Sequence, residues 1–305
     1  MTRTIILLIA ILSFSATFSQ SLNQQVLDEK GNEMLLGTIN KKGLQKAPFS
    51  EWFNKNQDDY AVNKKIANQL KDSLNNYTIK VFLGTWCGDS KKEVPHFYSV
   101  LETVNFPENQ LEVIALDRKS EAYKQGPNGE EKGMNIHRVP TFIFYKNGKE
   151  ANRIVEHPQE TLERDMLKIV NGERYSSNYI AANYVQNLLA SKTIDSLKIE
   201  EANLVSMLSE YVEGSRELNT LGYVYLRAKE LDKAMYVFDL NTKIFPYKHN
   251  VYDSLAEAYF ETKNYSEALK TYYKVLSIHP EDKNAPEMIA KITSEIESGN
   301  KDDKS

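Results

Sequence analysis

Cysteine is almost missing from this chain: its 305 residues include one, Cys87. A single thiol cannot form an internal bridge, so a disulfide framework is excluded by arithmetic, and zinc sites built on paired cysteines go with it. Histidine is scarce too. Five scattered residues show no ligand spacing, and neither a metal nor another cofactor is expected. A dominant charge is also lacking: 38 basic and 42 acidic side chains give a net charge of −4, without the basic stripe that nucleic-acid binding requires. Nucleic acid is therefore not an expected partner.

Long hydrophobic runs are absent except at the amino terminus. "MTRTIILLIAILSFSATFSQ" puts Arg3 before an apolar run from Ile5 to Leu12, followed by small or hydroxyl residues that include Thr17 and Ser19. The run falls short of the ~20 residues a membrane span needs. Its layout is that of a secretory signal peptide. Residues 1–19 are expected to be removed, leaving a periplasmic or otherwise exported protein with no stable membrane span; an uncleaved anchor is the other reading. Export to an oxidising compartment commonly brings paired cysteines. An odd thiol there points to intermolecular pairing or a reactive group, set against the plain alternative of a buried, inert side chain.

The length fits two modest domains. From Gln20 to about Lys55 the sequence reads as short strands and loops, with Gly31, Gly37 and Gly43 as turn signals. Ile66, Ala67, Leu70 and Leu74 recur at helical spacing, closed by Asn75–Asn76. "TIKVFLGTW", Thr78 to Trp86, reads as a buried strand. After it, Val94, Phe97, Val100 and Leu101 share a helical face, and "LEVIALD", Leu111 to Asp117, is a second strand. Strand, helix, strand at this length predicts a right-handed βαβ unit with parallel strands. The polar stretch with Gly126, Pro127, Asn128, Gly129 and Gly133 reads as an exposed loop or one that includes a short helix, and Gly126 to Gly129 lacks a phosphate-loop pattern. Thr141–Tyr145 and Lys149–Val155 flank Asn147–Gly148, a strong hairpin signal. Pro158 suits a first helical turn, and Leu162, Met166, Leu167 and Val170 continue a helical stripe.

After Tyr175 the pattern is helix alone. At a spacing of 34 residues Leu221 aligns with Leu255, Gly222 with Ala256, Tyr225 with Tyr259, Ala234 with Ala268, Phe238 with Tyr272, and Pro246 with Pro280. This resembles the tetratricopeptide (TPR) repeat, in which small residues let antiparallel helices approach and proline ends the second helix. Two repeats need flanking helices to cover their apolar faces. The expected division is 20–174 for an α/β domain, 175–214 for a helical connector, 215–298 for the repeats with a capping helix, and 299–305 for a disordered tail.

The chemistry gathers at "TWCGDSKKEVP", Thr85 to Pro95. A strand that opens a helix leaves backbone N–H groups and the positive end of the helix dipole near the first residues, where Cys87 lies. Such a position favours the thiolate, the form that attacks disulfides. Lys91 and Lys92 add to the effect; Asp89 opposes it or caps the helix.

These residues resemble the thioredoxin family over Gln20 to about Arg174, implying a thioredoxin-like α/β fold followed by an all-α repeat region. "WCGDS" fills the slot of Trp-Cys-x-x-Cys, Pro95 has the spacing of the proline that kinks the active-site helix, and Val139–Thr141 resembles the cis-proline segment. "CGDSKKEVP" is most similar to envelope thioredoxins of the TlpA/ResA type, where a glutamate in the slot of Glu93 lies near the active site. The resemblance implies that Cys87 attacks, Trp86 shields it, Pro140 is cis beside it, and Val139 offers backbone pairing to a substrate.

Two departures limit what carries over. Ser90 replaces the resolving cysteine, and Val81 stands where cytosolic thioredoxins keep a buried aspartate. Cys87 can make a mixed disulfide but cannot release it alone; an external thiol or reductase, or a substrate cysteine, must finish the exchange. Three readings follow. One is a monothiol thiol-disulfide oxidoreductase or isomerase acting on cysteine-bearing protein clients. Another is a redox-silent binding module or adaptor, with the repeats holding a protein partner. The third is a regulatory thiol that is oxidised or joins two copies.

Other residues carry paired readings. Glu93 is a proton-transfer partner or part of a solvated helix face. Ser90 caps the helix or donates a hydrogen bond to the Cys87 thiolate; no nucleophile elbow surrounds it. His137 reads as a solvent-facing loop residue, with tuning of the thiol as the alternative, and His157 as a residue at a helix start. Tyr223, Tyr252 and Tyr273 read as packing between helices, with a peptide groove as the alternative.

Overall fold

The structure, a computed structural model, describes residues 21–302. The expected leader, residues 1–19, lies outside them. Five helices and six strands build the first half: β1 (Gln24–Leu27), β2 (Glu33–Ile39), α1 (Lys41–Leu44), α2 (Ser50–Asp58), α3 (Lys64–Leu74), β3 (Tyr77–Leu83), α4 (Gly88–Thr103), β4 (Leu111–Ala115), β5 (Thr141–Lys146), β6 (Lys149–Val155) and α5 (Leu162–Val170). The sheet order is β1-β2-β4-β3-β5-β6.

Strands β3 and β4 are parallel with α4 as their crossover, whereas β5 runs antiparallel to both β3 and β6. The β5–β6 turn places Asn147 at φ 52° and Gly148 at φ 74°. Both residues therefore take the left-handed conformation that a two-residue type I′ hairpin needs. Alternation along β3 sends Ile79, Val81 and Leu83 into a large cluster with Phe53, Leu70, Phe97 and Met166. Phe82, between them in sequence, joins a smaller cluster with Ile114, Leu116, Ile136, Val139 and Ile143. Trp86 and Cys87, in the turn that follows β3, pack on that smaller cluster. The fold is the thioredoxin-like α/β sheet expected, followed by helices.

Three local expectations differ. The segment read as strands and loops contains α1 and α2 as well as β1 and β2. Helix α5 starts at Leu162, with the Thr161 hydroxyl accepting from Arg164 N, so Pro158 lies in the preceding loop. At the far end α13 (Asn284–Asp302) runs into the stretch read as a tail, because the apolar stripe ending at Ile296 already commits the chain to a helix.

Beyond α5 come α6 (Ile180–Ser191), α7 (Ile194–Ile199), α8 (Glu201–Tyr211), α9 (Ser215–Arg227), α10 (Leu231–Ile244), α11 (His249–Glu261), α12 (Tyr265–Ile278) and α13. Helices α9 and α10 pair, as do α11 and α12, and the second pair begins and ends 34 residues after the first. A Cβ on Gly222 would sit 2.5 Å from the Phe238 ring. Glycine is therefore what permits that approach. Polar bonds link the first helices of the pairs: Tyr223 donates to Glu257 (2.6 Å), Asn219 to Ser254 (2.9 Å), and Arg227 to Glu257 (2.7 Å) and Glu261. Tyr223 is thus an interhelix contact. Tyr252 donates to Pro246 O at 3.2 Å, and Tyr273 stands exposed.

Among the described residues no helix is long and apolar enough to cross a membrane.

Candidate functional site

Strand β3 delivers the chain at Leu83 into a turn of Gly84, Thr85 and Trp86. The turn is fixed from several sides. Cys87 N donates to Gly84 O (2.8 Å), and Thr85 Oγ1 accepts from Leu35 N on β2 (3.1 Å). Trp86 Nε1 donates to Leu116 O at the end of β4 (2.9 Å). The indole lies so close over Gly84 that a Cβ there would meet it at 2.5 Å. Cys87 is the N-cap of α4, with extended backbone (φ −88°, ψ 132°), and its carbonyl accepts from Lys91 N.

The thiol is half-buried and packs, with Trp86, on the small apolar cluster. Sγ lies within hydrogen-bond reach of two acceptors, Val139 O at 3.2 Å and Asp89 Oδ2 at 3.9 Å. The Val139–Pro140 peptide is cis, Pro140 O accepts from Glu156 N (2.7 Å), and Thr141 Oγ1 donates to Arg138 O (2.8 Å). Cys87 and Trp86 therefore converge with Val139, Pro140 and Thr141 from two separate stretches of chain.

Ser90 and Glu93 do not join them. Ser90 is fully buried, and its hydroxyl oxygen accepts from Gly84 N at 3.1 Å. It neither caps α4 nor is paired with Sγ, because its hydroxyl is taken up by the backbone of the turn. Glu93 is buried as well, which corrects the solvated-face reading. Its carboxylate meets Lys92 at 3.0 Å and His96 at 3.6 Å. Burial pushes that carboxyl up, but the hydrogen bonds from His96 and Lys92 win and hold it below its usual range. Pro95 has no N–H for Lys91 O; Asn56 Nδ2 on α2 donates to that carbonyl instead, at 2.9 Å.

Behind the cis-proline loop lies a group that sequence reasoning missed. Lys124 is 4% exposed, and its Nζ donates to His137 O at 2.5 Å and sits 4.7 Å from the Tyr123 ring centroid. Burial pushes its ammonium down to about 7, Arg138 pushes the same way, and Cys87 and Glu156 pull upward. His137 is 1% exposed, which overturns its reading as a solvent-facing residue. Burial first, then Lys124 and Arg138, push it down to about 3, so it is neutral. Its ring meets Tyr179 edge-on and interacts with Gln186 of α6, so the first helix of the second half roofs this pocket. Arg138 pairs with Glu156 (3.4 Å), stacks on Tyr179 (4.4 Å) and reaches Arg216 O. No sequence signal marked Lys124 or Arg138, since lysine and arginine in a polar loop read as solvated. His157 is exposed and binds Pro158 O and Asn178, away from the thiol.

Among the described residues no three His, Cys, Asp or Glu side chains converge as a metal-ligand group.

A family model described as Thioredoxin matches residues 9–168. Thioredoxin H2 of Arabidopsis thaliana is a relative with 26% identity over 102 residues, which cover 33% of this chain and 68% of that protein.

Proposed function

The chain belongs to the thioredoxin family, and from that premise we propose that it is a monothiol thiol-disulfide exchange protein acting on exported clients. One observation carries the reading. Cys87 Sγ lies at the N-terminus of α4 beside the cis-proline loop, whereas Ser90, in the second slot, is buried and bound to Gly84 N. A nucleophile is present at the position the family uses, and no partner stands ready to displace it.

The exchange balances as follows. The Cys87 thiolate attacks one sulfur of a client disulfide, forms Cys87–S–S–client, and releases the other client sulfur as thiolate. The second step needs a thiolate from outside the chain: a small thiol, a dithiol reductase or a further client cysteine. It attacks the mixed disulfide, and Cys87 leaves as thiolate. The final acceptor decides between net reduction and isomerisation. In this reading the leader directs the protein out of the cytosol, and α9 to α12 act as tetratricopeptide repeats that hold a client or donor protein.

Acid-quenched cells expressing the full chain test the proposal. Wild type is expected to run partly as high-mass adducts that reductant removes and that Cys87→Ala abolishes. A wild type with no adducts, or adducts that survive Cys87→Ala, overturns it in favour of a redox-silent binding module.

A further inference from the structure

The thiol has an unexplained neighbour. An ammonium as buried as Lys124 is ordinarily paired with a carboxylate. Among the described residues no carboxylate lies within ion-pair distance of it; its contacts are a backbone carbonyl and an aromatic ring. The residue also sits at φ 58°, the left-handed region that non-glycine residues seldom adopt, held there by Lys124 N donating to Asp117 O (2.9 Å) and Asp117 N donating to Gln125 O (3.0 Å). An unpaired buried ammonium and a left-handed backbone in one residue call for a compensating role.

We propose that Lys124 is a positioning residue for the thiol: its buried ammonium holds the loop carrying Val139 against Sγ and supplies the positive charge that favours the Cys87 thiolate. The connection is short. Lys124 Nζ binds His137 O, two residues before the carbonyl that accepts from Sγ, and Lys124 and Cys87 act on each other electrostatically. The proposal rests on the thiol chemistry proposed above and adds the group that controls it.

The surrounding charges are mixed. Asp89 on α4 lies 3.9 Å from Sγ and opposes the thiolate, as does Val139 O, which accepts from the neutral thiol at 3.2 Å. Arg138 on the loop favours it but is paired with Glu156 at the end of β6. Tyr123 stays protonated, because burial raises it, and His137 is neutral. Gln186 on α6 brings no charge. Lys124 is thus the buried cation left to balance Asp89. Unlike exposed Lys92 it is shielded from salt.

The test is the rate of Cys87 alkylation by iodoacetamide against pH in the full chain. In Lys124→Met, with unchanged circular dichroism, the rising limb is expected to move to higher pH. The rate at pH 7 should fall about three- to tenfold, and the difference should persist in roughly 0.5 M salt. Superposable profiles overturn the proposal and leave the thiol chemistry standing; a folded wild type that never alkylates removes both. If Lys124→Met does not fold, the Lys124 side chain is titrated by NMR in wild type and in Cys87→Ala. Linkage requires the lysine to titrate at lower pH once the thiolate is gone, and an unchanged curve refutes the coupling.

Discussion

A serine hydroxyl in the slot of a second sulfur changes what the site can finish, and its placement can be tested directly. Residues three apart on a helix bring their Cβ atoms to about 5–6 Å, so reaching the ~3.5–4.5 Å of a disulfide takes a small shift of the turn, as in Cys-x-x-Cys sites. Ser90→Cys should therefore convert the monothiol into a dithiol that closes on itself. Thiol counts by Ellman's reagent should fall from two per chain to none under oxidised glutathione, and adducts trapped from cells should fall by about tenfold. Two thiols that persist under oxidation would show that the buried position beneath Gly84 cannot reach Sγ. The residue scale also shows why the site was half legible. Trp86, Cys87, Ser90 and Pro95 are neighbours in sequence, so their spacing carried the resemblance. Lys124, His137 and Arg138 acquire their environments only when the loop folds behind β5 and α6 roofs it, and nothing in their composition records that cover. Glu93 was legible as a member of the helix but not as a buried, paired carboxylate, because its partner His96 depends on how α4 lies against its neighbours.

At the scale of elements, periodicity was the readable quantity. The βαβ unit, the Asn147–Gly148 hairpin and the 34-residue offset of the helix pairs all follow from patterns that survive without tertiary knowledge. Helix α2 was not readable: Ser50–Asp58 offers one fully buried apolar residue, Phe53, too little for a stripe. It is held instead by packing on α4 and by the bond from Asn56 to the carbonyl that Pro95 leaves free. The paired helices α9 and α10 permit a sharper test, because two effects of Gly222→Ala have opposite signs. Helix propensity favours alanine by roughly 0.5–1 kcal/mol. The new Cβ, however, would stand 2.5 Å from the fully buried Phe238 ring, and forced repacking typically costs about 1–3 kcal/mol. The clash should win, lowering stability by ~1 kcal/mol in urea titration. Phe238→Leu in the same chain should recover part of the loss; a stabilised Gly222→Ala would mean that the helices move apart freely.

Across the whole molecule the sheet and the helices share one interior at the end of β6, where Val155 belongs to the cluster built by α6, α9 and α10. Tyr179 donates to Glu156, and Glu217 on α9 accepts from Ala182 N at 2.8 Å, so the start of α6, which roofs Lys124, is tied to the sheet on one side and to α9 on the other. Burying that lysine makes global stability depend on pH in a stated direction. In the unfolded chain it titrates near 10.5, in the folded chain near 7. Between these values the unfolded state binds more protons, so stability rises with pH over this window, and the penalty is constant below it. A shift of that size corresponds to a few kcal/mol, though part of it is softened by relaxation around the charge. Tyrosines raised by burial, Tyr123 among them, act oppositely above about pH 10. The comparison therefore belongs between pH 7 and 9.5. Lys124→Met should be more stable than wild type at pH 7 by urea midpoint, and the gap should narrow steadily toward pH 9.5. Equal midpoints at both pH values would show that the folded lysine titrates as a solvated one. A variant that gains stability while its thiol loses reactivity would identify Lys124 as a side chain kept for chemistry at a cost to the fold.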